Sequence, residues 1–302
     1  MRTVTLALAG PLFALAATPA KAGDPVLPPD PTDEQLAMAA QNPVADLVSF
    51  PLQNIVGFGV GPERDVANVL NIQPVVPFHL TREWNLIARV ILPIATVPSF
   101  TGSGGTTGLG NLLATAFLAP SSPGAGIWGA GPVASFPTAT SPQLGSQSTW
   151  GLGPSAVVLS MPGKWVLGAL VNNVWSVAGA PANAFLIQYF VNYNFESGWY
   201  VVTAPIVTAN WEAPSGQQWD VPFGAGGGRI VWIGPLPFNL TAQAYWHAVR
   251  PDFGPTWSVR LTATLLLLSL RSEVAVRRIS AGRSFFIRLR LIPIPMIRWP
   301  EG

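Results

Sequence analysis

The chain has 302 residues, only 10% of them charged, with a mean hydropathy of +0.38. A typical globular chain is ~25% charged, yet no run here reaches the ~18–20 uninterrupted apolar residues of a membrane helix. A helical membrane bundle is thereby excluded. What remains is a chain apolar on one face of many strands, and only a closed barrel lets strands cross lipid with every backbone group paired.

Cysteine is absent, so there is no disulfide framework and no thiolate metal site. The formal net charge is +2 and the sequence pI about 9.3, but the basicity is uneven. Arg271, Arg277, Arg278, Arg283, Arg288, Arg290 and Arg298 all lie beyond Leu270, whereas residues 44–268 are near neutral. No nucleic-acid footprint is present in that stretch.

In chain order, residues 1–22 read as a signal peptide: Arg2, an apolar stretch from Val4 to Ala17, and an A-x-A site at Ala20-Lys21-Ala22. Residues 23–43 are a Pro-rich linker and a short helix. Thr32 and Gln35 form a capping box, acids follow the cap, and Pro43 stops the helix after about Gln41. The sequence leaves open whether this helix sits at a mouth of the barrel or inside it.

From Val44 to Leu268 the expectation is an all-β antiparallel barrel of twelve strands, near 44–59, 66–79, 84–98, 108–119, 125–137, 148–160, 164–177, 183–195, 198–211, 218–233, 236–248 and 256–267. The clearest evidence is alternation. From Phe238 to His247 every even position is apolar, and from Trp257 to Leu265 the rule returns with swapped parity. Connections alternate between short turns, such as Gly234-Pro235, and longer Gly-rich or polar loops, such as residues 138–149. That is the turn-and-loop asymmetry of outer-membrane barrels. Trp84, Trp165, Trp199 and Trp232 lie by short turns, and Trp175, Trp211, Trp219, Trp246 and Trp257 by long loops, as two interfacial aromatic belts require.

Parity nominates an inward face. Its principal members are Gln73, Arg89, Asn172, Gln188, Asn192, Asn210, Glu212, Asn239, Gln243, Tyr245 and Arg260, read as lining a transport path. Arg89 and Arg260 would be too costly facing lipid, and inside they can pair with Glu212 or meet water. An amide-rich face predicts weak charge selectivity.

Other motifs carry less. Gly224 to Gly228 lacks the Lys-Ser/Thr of a phosphate loop and reads as strand glycine. With only His79 and His247, a metal site is poorly supported. His247 can reach Ser258 across a hairpin, as in barrel hydrolases, but a polar histidine near the rim is the plainer reading. No catalytic residue, cofactor or metal is assigned.

Residues 41–47 (QNPVADL), Leu70-Asn71-Ile72-Gln73-Pro74, Val171-Asn172-Asn173-Val174-Trp175-Ser176 and Ala209-Asn210-Trp211-Glu212 carry a resemblance. The chain resembles a bacterial outer-membrane barrel group labelled as transporters of the MetA pathway of phenol degradation, some misnamed neuromedin U. The likeness spans residues 41–265. It implies a Gram-negative outer-membrane location, insertion by the barrel-assembly machinery, lipid as surroundings, and transport of small, hydrophobic or aromatic molecules. A barrel-borne lipid-acting enzyme and a closed structural or adhesive barrel are the alternatives. Residues 269–302 depart from the group: the Arg-rich tail fits a shifted reading frame or non-native extension, or a basic segment lying against anionic lipid.

Overall fold

The structure, a computed structural model, describes residues 31–100, 104–122 and 126–267. The signal sequence, most of the linker and the C-terminal extension lie outside the described residues.

The chain forms one short helix and a closed antiparallel sheet. Helix α1 (Asp33–Ala40) begins at the predicted capping box: Thr32 Oγ1 accepts from Gln35 N–H at 3.2 Å and Gln35 Oε1 from Thr32 N–H at 2.9 Å. The strands are β1 (Val48–Val60), β2 (Asp65–Ile72), β3 (Val75–His79), β4 (Trp84–Pro98), β5 (Gly105–Leu109), β6 (Leu112–Pro120), β7 (Ile127–Phe136) and β8 (Trp150–Ser160). They continue as β9 (Trp165–Ala178), β10 (Asn183–Asn194), β11 (Trp199–Thr203), β12 (Ile206–Asn210), β13 (Trp219–Ile233), β14 (Leu236–Val249) and β15 (Trp257–Leu267). Three expected strands are each broken in two, at Gln73-Pro74, Gly110-Asn111 and Ala204-Pro205. Two of these breaks hold a proline, which has no N–H to give the ladder. Counting each broken pair as one stave gives twelve, and β15 pairs with β1 from Trp257↔Phe58 to Leu267↔Val48, sealing the ring.

Both described ends of the sheet, Val48 and Leu267, lie at the short-turn rim. There the connections are 80–83, 121–126, 161–164, 195–198 and 234–235. Gly234 holds φ +61 in the last of these, the left-handed conformation that a two-residue hairpin turn needs at its first central position. The opposite rim carries 137–149, 211–218 and 250–256 as its longest loops. Two of its connections, 61–64 and 179–182, are as short as the turns opposite, so the asymmetry holds for the rims as wholes and not for every loop.

Alternation sorts the wall. Phe50, Leu52, Leu118, Val158, Leu240 and Leu261 are exposed on the outside. Tryptophans ring it at both rims: Trp84 and Trp128 meet edge-on at 5.9 Å by the short turns, and Trp211 and Trp219 at 5.2 Å by the long loops. A few polar groups interrupt the outer face. Asn68 is in register with Thr96, whose hydroxyl lies 2.9 Å from that of Thr107, and Arg229 stacks on Trp199 at 5.0 Å.

The core lies at the short-turn end, inside the ring. Helix α1 buries Leu36 and Ala37 completely against inward residues of the wall, among them Ile87, Phe117, Val166 and Ile230. Burying a side chain such as Leu36 stabilises by roughly 1.5–3 kcal/mol. The helix is thus a plug: it occupies the bore at one end.

Candidate functional site: a plugged interior with two cavities

Behind the plug lies an inner cavity of about 210 Å³. Its floor is the end of α1 and the turn that follows, from Ala39 to Pro43, and Gln41 fixes that floor to the wall. Gln41 Nε2 donates to Asn194 Oδ1 at 2.8 Å, and Gln41 Oε1 accepts from Asn192 Nδ2 at 2.9 Å. At the start of the helix, Trp232 Nε1 donates to Asp33 Oδ1 at 2.8 Å. His79 Nε2 lies 2.8 Å from Asp46 Oδ2, tying the segment after the helix to β3.

Of the residues nominated from sequence, Gln73, Arg89, Gln188, Asn192, Asn239, Gln243 and Arg260 border this cavity. Arg89 Nη2 donates to Gln73 Oε1 at 2.9 Å, and Gln73 Nε2 donates to Gln53 Oε1 at 3.2 Å. Arg260, on β15 beside the strand that carries Gln53, is stacked over Tyr245 at 4.9 Å, with its Nη1 donating to Ala204 O at 2.9 Å. Tyr245 is itself buried; its hydroxyl donates to Gln243 Oε1 and accepts from Ala204 N–H. Tyr200, which sequence reasoning did not nominate, faces inward and donates to Asn239 Oδ1 at 2.7 Å. Room for its ring comes from Gly228, where a Cβ would collide with Tyr200 Cζ. The glycine run that resembled a phosphate loop is therefore a packing device.

A second, larger cavity of about 840 Å³ opens among the long loops. Asn172 and Asn210 border it, with Leu113, Val174 and Leu186 as its apolar wall and Gln217 and Pro251 at its rim. Glu212 stands apart from both cavities. It is exposed in the 211–218 loop, and its backbone N–H donates to Asn210 Oδ1 at 3.2 Å. The chain turns at Trp211 and carries Glu212 off the inward face, so neither Arg89 nor Arg260 pairs with it.

The charges divide sharply. The inner cavity is bordered by two guanidiniums and no carboxylate, and the outer by Asp220 and no base. The amide-rich face foreseen from parity is present, but the two arginines face the inner cavity without a counter-ion. Among the described residues no cluster of His, Asp and Glu could hold a metal ion.

No protein-family model and no curated protein matches this chain. Among solved structures it is similar to an outer membrane channel from Pseudomonas putida F1, at 16% identity over 74% of this chain and 96% of that one, with a TM-score of 0.56. CdiB from Acinetobacter baumannii matches at 11% identity over 73% of this chain and 60% of that one, with a TM-score of 0.33. A Pseudomonas aeruginosa FadL homologue matches at 11% identity over 76% and 92%, with a TM-score of 0.29. The first is a likeness of fold, and the other two are too distant to argue from.

Proposed function

We propose that the chain is an outer-membrane channel or transporter for small molecules, held shut at its short-turn end by its own N-terminal helix. One observation carries this: the wall is apolar outside between two aromatic girdles, and polar inside around a cavity. That division suits a cylinder with hydrocarbon on its skin and water in its bore. The short-turn rim then faces the periplasm and the long loops face outward. The fold likeness to the P. putida channel supports the reading, as does the resemblance to the phenol-degradation group.

The solute class follows from the two cavities. The outer one offers apolar side chains with amides at the rim. The inner one offers Arg89 and Arg260 without a carboxylate. Together they favour a small hydrophobic or aromatic molecule, and among these one that bears an anionic group. This replaces the weak selectivity expected from the amides alone, since two uncompensated charges set the sign of the local field.

The test is single-channel recording on the full chain and on Leu36→Asp. A carboxylate at a fully buried position cannot stay desolvated without a partner, so the plug should leave its seat. Rare, small openings of the full chain and frequent openings of the variant, anion-selective in both, are expected. Silence from both proteins under every voltage and solute gradient would overturn the proposal.

A further inference from the structure

Three adjacent strands bring an acid, a histidine and a serine into line at the long-loop end of the interior. Asp220 Oδ1 on β13 lies 2.6 Å from His247 Nδ1 on β14, and His247 Nε2 lies 2.9 Å from Ser258 Oγ on β15. The imidazole is held at both nitrogens. A carboxylate can only accept, so Nδ1 carries the proton and the Nε2 lone pair faces the serine hydroxyl. His247 and Ser258 are 8% and 7% exposed, shielded enough to hold this geometry. The β13–β14 register shifts between Val221 and Pro222, and bulges of this kind re-aim side chains beside functional sites.

We propose that Ser258, His247 and Asp220 form a serine-hydrolase site for small uncharged carboxylic esters. Ser258 is the nucleophile and His247 the general base, while Asp220 is a positioning residue that fixes the tautomer. Ser258 and His247 line neither cavity themselves, and their neighbours on the inward face do. Asp220 borders the outer one, and Arg260, the next inward residue along β15, borders the inner one. The outer cavity has an apolar wall and no base to attract an anion, which suits a neutral ester with a short apolar chain. The Oγ attacks the ester carbonyl carbon as its proton passes to Nε2, and the carbonyl π pair moves onto oxygen. Collapse breaks the bond to the alkoxy oxygen, which leaves as the alcohol with the proton from Nε2. Water then attacks the acyl-serine, passing one proton through His247 back to Oγ. The products are one carboxylic acid and one alcohol. Arg260 Nε is buried without a hydrogen-bond partner two residues along β15 from Ser258, and it is the donor we assign to the transient oxyanion. The carboxylate product has a charge complementary to the inner cavity; this last link rests on the channel reading, whereas the hydrolysis does not.

The test needs no mutant to begin. The folded full chain in detergent micelles is treated with an alkyl fluorophosphonate, digested and mapped by mass spectrometry, and p-nitrophenyl butyrate hydrolysis is followed alongside. A single adduct on Ser258, absent when the protein is first unfolded in urea, is expected. Ester turnover should fall by ~10³-fold or more in Ser258→Ala and His247→Asn. Asp220→Asn should slow labelling while Asp220→Glu restores part of it, a split that a purely structural bond would not show. No adduct on Ser258 in the folded barrel, or undiminished turnover in a folded Ser258→Ala, would overturn the proposal and leave the three residues as a strand tie. Channel conductance is a separate measurement, so failure of either reading leaves the other standing.

Discussion

Arg260 serves the wall and the bore at once. Where the stave breaks at Ala204-Pro205, the backbone loses ladder partners and side chains replace them. Ala204 O accepts from Arg260 Nη1 at 2.9 Å and from Gln188 Nε2 at 3.4 Å, while Ala204 N–H donates to the Tyr245 hydroxyl at 3.2 Å. Arg89 lies beside the break at Gln73-Pro74 but donates to the Gln73 side chain and not to a backbone carbonyl. The two arginines should therefore part company on substitution. Arg260→Met should lower the unfolding free energy by about 1.5–3 kcal/mol, the worth of a charge-assisted bond to a buried carbonyl, and also reduce anion preference. Arg89→Gln should reduce anion preference with a smaller loss of stability. Urea unfolding and reversal potentials in a salt gradient measure the two effects, and an unaltered midpoint for Arg260→Met would show that the break needs no staple. Parity in the sequence was enough to place Arg89 and Arg260 inside, because alternation in a strand is a strict rule. It failed at Glu212 because alternation ends where the strand ends, one residue earlier than expected. The serine–histidine–aspartate line was half visible: a hairpin could join His247 to Ser258. Asp220 could not be added, since its partner depends on β13–β14 register and on a bulge that no spacing announces.

Helix α1 shows the same division at the scale of an element. Its existence and both its ends were legible, because a capping box and a following proline act locally. Its seat inside the ring was not, because that depends on a match between Leu36 and Ala37 and a wall assembled from residues up to Leu266. The staves behaved likewise: all twelve were marked by alternation, while the breaks were missed although Pro74 and Pro205 signal two of them. Gly198 decides how closely the helix docks. It holds φ +76, and a Cβ there would sit 2.7 Å from Asp33 Cβ and 3.3 Å from Ile230 Cβ. Gly198→Val should push the first turn of α1 away from the wall and break the bond from Trp232 Nε1 to Asp33. The expected readouts are a shift in tryptophan emission and more frequent channel openings than in the unmodified chain. A variant with unchanged emission and unchanged gating would mean that the plug does not depend on this contact.

At the scale of the whole molecule, the reading depends on which medium touches each face of the sheet, and one strand can test both. Ala242 and Thr241 are neighbours at the middle of β14. Ala242 is exposed on the outer face, in register with Gly227 and Leu261; Thr241 borders the inner cavity, in register with Gly228 and Thr262. In water the outer position would be the milder of the two, because an arginine on an exposed outer face is cheap and one in a crowded interior costs more. In lipid the order inverts. Ala242→Arg places a guanidinium near mid-depth in hydrocarbon, at a cost of ~2–4 kcal/mol, whereas Thr241→Arg joins Arg89 and Arg260 beside a polar cavity. Refolding both variants into phospholipid vesicles, with folded fraction read from heat-dependent gel mobility and stability from urea titration, separates the cases. Ala242→Arg should fold in lower yield and unfold at lower urea than Thr241→Arg. If the outer arginine proves the milder of the two, hydrocarbon does not surround this barrel, and the channel reading falls with it.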